Sequence, residues 1–284
     1  MARIAVFGGT GYLGGHAVKR LAADGHHVRA LTRTDPPENT FPAGVETARA
    51  DLTRPETLPA ALRGMDGVLI CVNGGHDKAT ASAVEDIGVK SVADAAAAEG
   101  VGRIVLISGM FSQPDYAGYH WEQAKVRGEQ HVLEGEVPAT VMRLGFINET
   151  LAQFLRGGRP VLIGRQPHPI RPIAADDVMV AASRALLAED GEDHVYEVAG
   201  TEAMRLRDAV DKYARAVTGR KQPVRVMPLW FMKALNVTVM GGRMTRPLGI
   251  MQTMDTHGDV TDTTGFFRDL GRPATSFADW LAKQ

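Results

Sequence analysis

Several things are scarce in this chain, and each scarcity removes a class of protein. Cys71 is the only cysteine among 284 residues, which excludes an internal disulfide and fits a reducing compartment. It sits in an apolar strand, where a buried, inert thiol is expected. The nine histidines are scattered, with neither an H-E-x-x-H string nor Cys/His ligand spacing, so no metal site is expected. Charge of one sign is also missing: the formal net charge is −1, no dense basic run marks a nucleic-acid surface, and Arg220-Lys221 is only a pair. No apolar run approaches the roughly 20 residues that a helix needs to cross a bilayer. A strand begins after two residues, so no signal peptide is expected. The expectation is a cytoplasmic chain with neither nucleic-acid nor membrane partners, a monomer or homodimer. Internal repeats, low-complexity tracts and flexible linkers are absent as well.

What is present is concentrated at the start. Val6-Phe7-Gly8-Gly9-Thr10-Gly11-Tyr12-Leu13-Gly14 follows a short apolar strand. It leads into a helical pattern (Val18, Leu21, Ala22) closed by Gly25, and His27-Val28-Arg29-Ala30-Leu31-Thr32 supplies the next strand. Gly9, Gly11 and Gly14 satisfy G-x-G-x-x-G, while Gly8, Gly11 and Gly14 satisfy the looser G-x-x-G-x-x-G. In a strand–loop–helix–strand unit these glycines allow a tight turn and let backbone amides approach a pyrophosphate at a helix N-terminus. Gly8, Thr10, Gly11, Tyr12, Leu13 and Gly14 are therefore candidate dinucleotide-binding residues.

Strands and helices then alternate. Strands are expected at 45–50, 67–72, 103–107 and 140–144, and helices at 55–62, 83–99 and 121–134. Such alternation implies right-handed crossovers and a doubly wound, Rossmann-type parallel sheet in an α/β fold, with ligands beyond the carboxyl ends of the strands. After Gly145 the pattern becomes irregular. A short strand at 161–164, a helix from Asp177, a strand at 195–198 and helical pieces from about Leu206 make a small, mainly helical C-terminal lobe. The expected division is a nucleotide-binding core over 1–150, continued by 171–200, with 151–170 and 201–284 as a substrate lobe packed on it.

The second strand ends at Thr32-Arg33, where dinucleotide folds that take NAD carry an acidic residue. Arginine there suits a 2′-phosphate and favours NADP(H), although Asp35 leaves NAD open. Asp51-Leu52 suit an adenine edge, or Asp51 caps a turn. Asn73 and Gly74 follow the fourth strand, Ser108 ends the fifth, and Gly145 and Phe146 follow the sixth, so all five are candidate cofactor contacts.

With these residues placed, the chain resembles the atypical short-chain dehydrogenase/reductase proteins, in particular the NmrA-like NAD(P)-binding group. The resemblance rests on Gly8 to Gly14, Arg33, Ala50-Asp51-Leu52, Ser108, Lys125, Met142-Arg143-Leu144-Gly145 and Ile173-Ala174-Ala175-Asp176-Asp177-Val178. It implies a Rossmann core, bound NADP(H), and often hydride transfer to a carbonyl or activated double bond. It also implies catalytic Ser108 and Lys125, with Lys125 bonding the nicotinamide ribose. The family's general-acid tyrosine, four residues before the lysine, is replaced by Trp121, whose indole has no accessible acid pKa. Tyr119, Tyr116 and His120 are the nearby replacements; Tyr119 serves only if the helix starts after it. Otherwise Tyr116, Tyr119 and Trp121 simply wall an apolar pocket. Trp121, Asn148 and Phe111 are candidate substrate contacts.

Methionines 227, 232, 240, 244, 251 and 254, with Trp230 and Phe231, suit a lipophilic or flat aromatic ligand, a lobe core or a dimer contact. The first functional expectation is an NADP(H)-dependent oxidoreductase acting on a small, largely apolar carbonyl or enone. The alternatives are a non-catalytic NAD(P)-binding regulator and a redox-neutral isomerase, epimerase or dehydratase.

Overall fold

Apolar runs that are buried on both faces build the centre of the first unit. A computed structural model describes all residues, Met1–Gln284. β1 (Arg3–Phe7) and β4 (Gly67–Ile70) contribute Ile4, Ala5, Val6, Phe7, Val68, Leu69 and Ile70, each at most 1 % exposed. Strands without a polar face belong in a sheet covered on both sides. With β2 (His27–Thr32), β3 (Glu46–Arg49), β5 (Arg103–Gly109), β6 (Ala139–Leu144) and β10 (His194–Val198), they form a seven-stranded sheet ordered β10-β6-β5-β4-β1-β2-β3. The pairs β1·β2, β1·β4, β2·β3 and β4·β5 are parallel. The chain winds outward from β1 to β3, returns to β4, and winds the other way. The switch point between β1 and β4 is where such sheets open a crevice for a nucleotide.

The helices are α1 (Tyr12–Ala23), α2 (Leu58–Leu62), α3 (Lys78–Ser82), α4 (Gly88–Ala98), α5 (His120–Leu133) and α6 (Ala175–Leu186). The single helix expected at 83–99 is a longer composite. α3 runs through a π-helical turn, Ala83–Ile87, into α4 without leaving right-handed helical backbone. Polar residues explain the interruption: Glu85 and Asp86 are both buried. α5 starts at His120 rather than Trp121, with Tyr119 in extended backbone as its N-cap.

By internal contacts the chain divides into two units, Met1–Arg143 with Val178–Tyr196, and Leu144–Asp177 with Glu197–Gln284. The second unit therefore begins at Leu144, before the expected boundary at 150, and takes in 171–177. Backbone bonding explains this: the Ile173 N–H donates to the Phe146 carbonyl at 2.9 Å, and the Asn148 N–H to the Ile173 carbonyl at 2.8 Å.

The second unit is less purely helical than its sequence suggests. β8 (Arg159–Ile163) pairs antiparallel with β7 (Leu155–Arg156) and parallel with β12 (Arg225–Met227), and β9 (Pro169–Ile170) pairs antiparallel with β11 (Met204–Arg205). Its helices are the C-terminal α7 (Leu206–Thr218), α8 (Leu229–Thr238), α9 (Thr245–His257), α10 (Thr264–Asp269) and α11 (Phe277–Leu281). Leu206, Ala209, Val210, Tyr213 and Ala214 form the buried stripe of α7. Tyr213 stacks on Trp280, whose indole N–H donates to Glu149 at 2.9 Å. No helix is long and apolar enough to cross a membrane.

Candidate functional site

Steric necessity identifies which glycine pattern matters. A Cβ on Gly14 would lie 2.0 Å from the Gly8 carbonyl oxygen, and one on Gly8, whose φ is +78°, would lie 2.2 Å from the Cys71 carbonyl oxygen. Gly11 donates its N–H to the Gly8 carbonyl at 2.7 Å. Gly8, Gly11 and Gly14 thus close one turn on themselves, the G-x-x-G-x-x-G reading. A Cβ on Gly9 would meet the Ala30 side chain at 3.2 Å and the Val18 side chain at 3.5 Å, a far milder conflict. The helix that follows has no side-chain cap and no acid in its first turn. Its partly positive end therefore faces the crevice without a built-in anion, the arrangement a pyrophosphate fits. Thr10, Gly11 and Tyr12 are exposed there, and Tyr12 lies 5.4 Å from the His16 ring.

Beyond β2, Arg33 is exposed. Asp35, the carboxylate that kept NAD open, is in a bidentate pair with Arg49, whose guanidinium holds it below the usual carboxylate range. Asp51 accepts from the N–H of Thr53 at 2.9 Å and from its hydroxyl at 2.8 Å. That is the turn-capping role; Leu52 beside it is buried. Asn73 likewise accepts the Gly75 N–H at 2.8 Å, and a Cβ on Gly74 would strike the Ala81 backbone at 2.6 Å.

Ser108 and Lys125 are brought together, inside the protein. They share a small, partly open cavity of about 10 Å³ with Val72, Glu85, Val89, Leu106 and Ile107, room for about one water. Lys125 Nζ lies 3.2 Å from Glu85 Oε1; the lysine side chain is 17 % exposed and the glutamate 1 %. The Ser108 hydroxyl donates to Glu129, whose other oxygen takes two bonds from Arg143 at 2.9 and 2.6 Å. Burial raises the Glu129 carboxyl above its ordinary value, against the opposing pull of Arg143, Ser108 and Lys125. Desolvation pushes the Cys71 thiol up to about 12 and keeps it neutral, although the residue is half-buried and lies just past β4 rather than fully buried within it.

The π-turn makes this cluster. It lies so close to α5 that a Cβ on Gly128 would sit 2.2 Å from the Glu85 carbonyl oxygen. It sets Glu85 on Lys125, and the next residue, Asp86, on Arg127 at 2.6 Å and His131 at 2.9 Å.

At the tyrosine position, Trp121 is 2 % exposed. Because α5 starts after it, Tyr119 is not rotated away: its ring stacks on Trp121 at 4.6 Å and 8°. Burial first, and Glu122 second, raise the Tyr119 pKa, so the phenol stays protonated. His120 is engaged with the His76 carbonyl at 3.1 Å. Tyr116 meets buried Phe111 edge-on at 6.4 Å. In the second unit, Gly145 donates its N–H to Val198 and the Phe146 carbonyl is taken by Ile173. Asn148 is 1 % exposed there, and its side-chain oxygen has no hydrogen-bond partner.

A family described as NAD(P)H-binding matches residues 8–181, beginning at the first required glycine. A (4-alkanoyl-5-oxo-2,5-dihydrofuran-3-yl)methyl phosphate reductase from Streptomyces griseus is 30% identical, over 99% of this chain and 97% of its own. An NAD(P)H azoreductase from Xenophilus azovorans is 28% identical, over 98% of this chain and 96% of its own. The chain belongs to the NAD(P)H-binding family. Within it, the chain is of the atypical short-chain dehydrogenase/reductase type, an NAD(P)-dependent oxidoreductase. The fold agrees with the NADPH complex of a quinone oxidoreductase from Escherichia coli, with a TM-score of 0.78 at 22% identity and 99% of both chains covered. It also agrees with a UDP-N-acetylglucosamine 4-epimerase from Bacillus cereus at TM-score 0.76, which at 17% identity speaks to fold alone.

Sequence reasoning did not single out Glu85, Glu129 or Gly128 in this member of the family. The available signals were two adjacent acids inside an alanine-rich helical run, and a Lys-x-x-Gly-Glu spacing that puts Lys125, Gly128 and Glu129 on one face of α5.

Proposed function

We propose that this protein is an NADPH-dependent reductase that delivers hydride to a small, largely apolar carbonyl or enone. The observation that carries the choice of NADPH is at the end of β2: Arg33 is exposed, and the nearest carboxylate, Asp35, is committed to Arg49. An arginine without an acidic competitor suits the 2′-phosphate that distinguishes NADPH from NADH. The backbone of Gly8 to Gly14 and the uncapped start of α1 would hold the pyrophosphate. Asn73 and Gly74, which follow β4, would line the cofactor's ribose and pyrophosphate, and Lys125, fixed by Glu85, would hold the nicotinamide ribose hydroxyls. Bound NADPH supplies the hydride.

The chain's own chemistry is then proton delivery and orientation. Tyr119, protonated and stacked on Trp121, is our proton donor to the substrate oxygen, in place of the tyrosine that Trp121 displaces. Tyr116 and Phe111 belong to the same loop, and Trp121 supplies a flat apolar wall. Ser108 orients Lys125's surroundings through Glu129 rather than meeting substrate. The streptomycete relative's name describes reduction of an oxo-dihydrofuran, which supports the carbonyl or enone class.

The test is a fluorescence titration with NADPH and NADH, followed by NADPH oxidation across a carbonyl and enone panel. Arg33→Ala should weaken NADPH binding about tenfold or more, on the order of 1.4 kcal/mol, and leave NADH binding unchanged. Equal loss for both nucleotides would remove Arg33 from the 2′-phosphate. Tyr119→Phe should lower kcat by about 100-fold with little change in NADPH affinity; unchanged turnover would dismiss it as the acid.

A further inference from the structure

The near-neutral charge of the whole chain conceals a one-sided stretch. No aspartate or glutamate occurs between Asp211 and Asp255, while eight lysines and arginines do. Arg215 in this stretch is paired with Asp211, and Arg246 is buried. Arg225, Lys233 and Arg243 are exposed.

The same stretch holds all six of the second unit's exposed large apolar side chains, Val217 among them. Val226 is 41 % exposed, Trp230 72 %, Phe231 40 %, Val237 78 % and Val239 73 %. On α8, Trp230, Ala234 and Val237 recur at i, i+4 and i+7, so the outward face of the helix is apolar, with Lys233 at its margin. The inward face is Met232 and Asn236. Asn236 fixes the turn into α9: its amide donates to Thr245 Oγ1 at 3.0 Å and its oxygen accepts the Met244 N–H at 2.8 Å. Val239, Met240, Gly241, Arg243 and Met244 line an open groove at that turn. The exposed face is thus a built surface that ends in a rigid turn.

An aromatic and β-branched face in a stretch whose only charged side chains are cations has the composition of helices that lie in the headgroup region of anionic bilayers. α8 has ten residues, about 15 Å, long enough to lie in that plane and far too short to cross it. A second copy is a poorer occupant, because a two-fold contact would press the uncompensated positive stretch against itself. We propose that α8 and the turn after it are a peripheral membrane-docking face that seats on an anionic phospholipid surface. Trp230, Phe231, Val237 and Val239 enter the headgroup–acyl boundary, and Arg225, Lys233 and Arg243 meet lipid phosphates. The early expectation of no membrane partner rested on whole-chain charge and the lack of a spanning segment, and neither describes a surface. The proposal does not depend on the reduction proposed above.

The chain carries its own probe. Of three tryptophans, Trp121 is 2 % and Trp280 5 % exposed, which leaves Trp230 to report contact with lipid. The full-length protein should co-sediment with phosphatidylglycerol/phosphatidylcholine vesicles, with a blue shift in emission. Binding to pure phosphatidylcholine vesicles, or in raised salt, should be at least about tenfold weaker. Val237→Asp should lower vesicle binding about tenfold while thermal melting and NADPH titration stay unchanged. Trp230→Phe should abolish the emission shift and keep co-sedimentation. Folded protein that ignores anionic vesicles would overturn the proposal. So would a solution dimer that Val237→Asp dissociates, which would give the face to a second copy, or binding to duplex DNA without binding to vesicles.

Discussion

Two parts of the first unit that the proposal assigns to one nucleotide are built from opposite materials. The Gly8–Gly14 turn is backbone against backbone, closed by contacts a single Cβ would destroy, and it contains no carboxylate, histidine or basic side chain. The cluster around Lys125 is side chain against side chain, with Glu85, Glu129 and Arg143 enclosed beside it. The first is a matter of shape and is indifferent to pH. The second depends on which atoms carry protons. A protein that needs to fix a phosphate can do so with geometry; one that needs to hold a cation in a half-dry place must bury its counter-charge too.

That contrast makes its sharpest prediction at the turn. Gly14→Ala places a methyl 2.0 Å from the Gly8 carbonyl, so the loop must open, and NADPH affinity should fall by about 100-fold or more in a titration, at every pH. A tolerated alanine would mean that the turn is softer than its contacts imply. Next comes Lys125→Ala, which removes the cation facing a glutamate that is 1 % exposed. Stability in urea should drop by about 3 kcal/mol, and the double change with Glu85→Gln should recover part of it. Independent, additive losses would show the pair to be incidental.

The smallest effect is the most diagnostic of buried charge. Glu129 has a raised pKa in the folded state, so relative to the unfolded chain it binds its proton more tightly. Its stabilising contribution is complete below its ordinary value of 4.5 and is lost as pH rises through the higher folded value. Carboxylates held low by arginines, such as Asp35 and Asp66, act in the opposite sense, losing their contribution as pH falls. The difference between wild type and Glu129→Gln in urea unfolding should therefore slope across the window above 4.5 and flatten beyond it. A difference without slope would place the Glu129 proton in the ordinary range.

How far the sequence could be read follows the same division. The βαβ start, the parallel strands and the crevice were legible because they rest on local rules: apolar runs, glycine spacing and helix stops. The exposed place of Arg33 just beyond β2 was legible because it lies at a fixed distance from the glycine turn. The partners of Ser108 and Lys125 were not, since Glu85 and Glu129 become neighbours only when the π-turn docks on α5, and no local period announces a π-turn. Tyr119 was conditional on where α5 begins: it is the N-cap, in extended backbone just before His120, and its ring stacks on Trp121. The second unit's paired strands were missed because β7, β9 and β11 have only two residues each, too few to show alternation.

The π-turn between α3 and α4 also carries a piece of arithmetic. A π-helical turn holds one more residue than an α-helical one. Deleting a single residue within Ala83–Ile87 would therefore heal the helix into a regular one. It would leave α3 and α4 nearly in phase, because the wider turn is what absorbs the extra residue, but it would draw in the bulge that meets α5. Glu85 and Asp86 could not then both keep their places on α5. The lysine's counter-charge is thus tied to a length, and a relative shorter by one residue in this segment should be found to have rebuilt its lysine's surroundings.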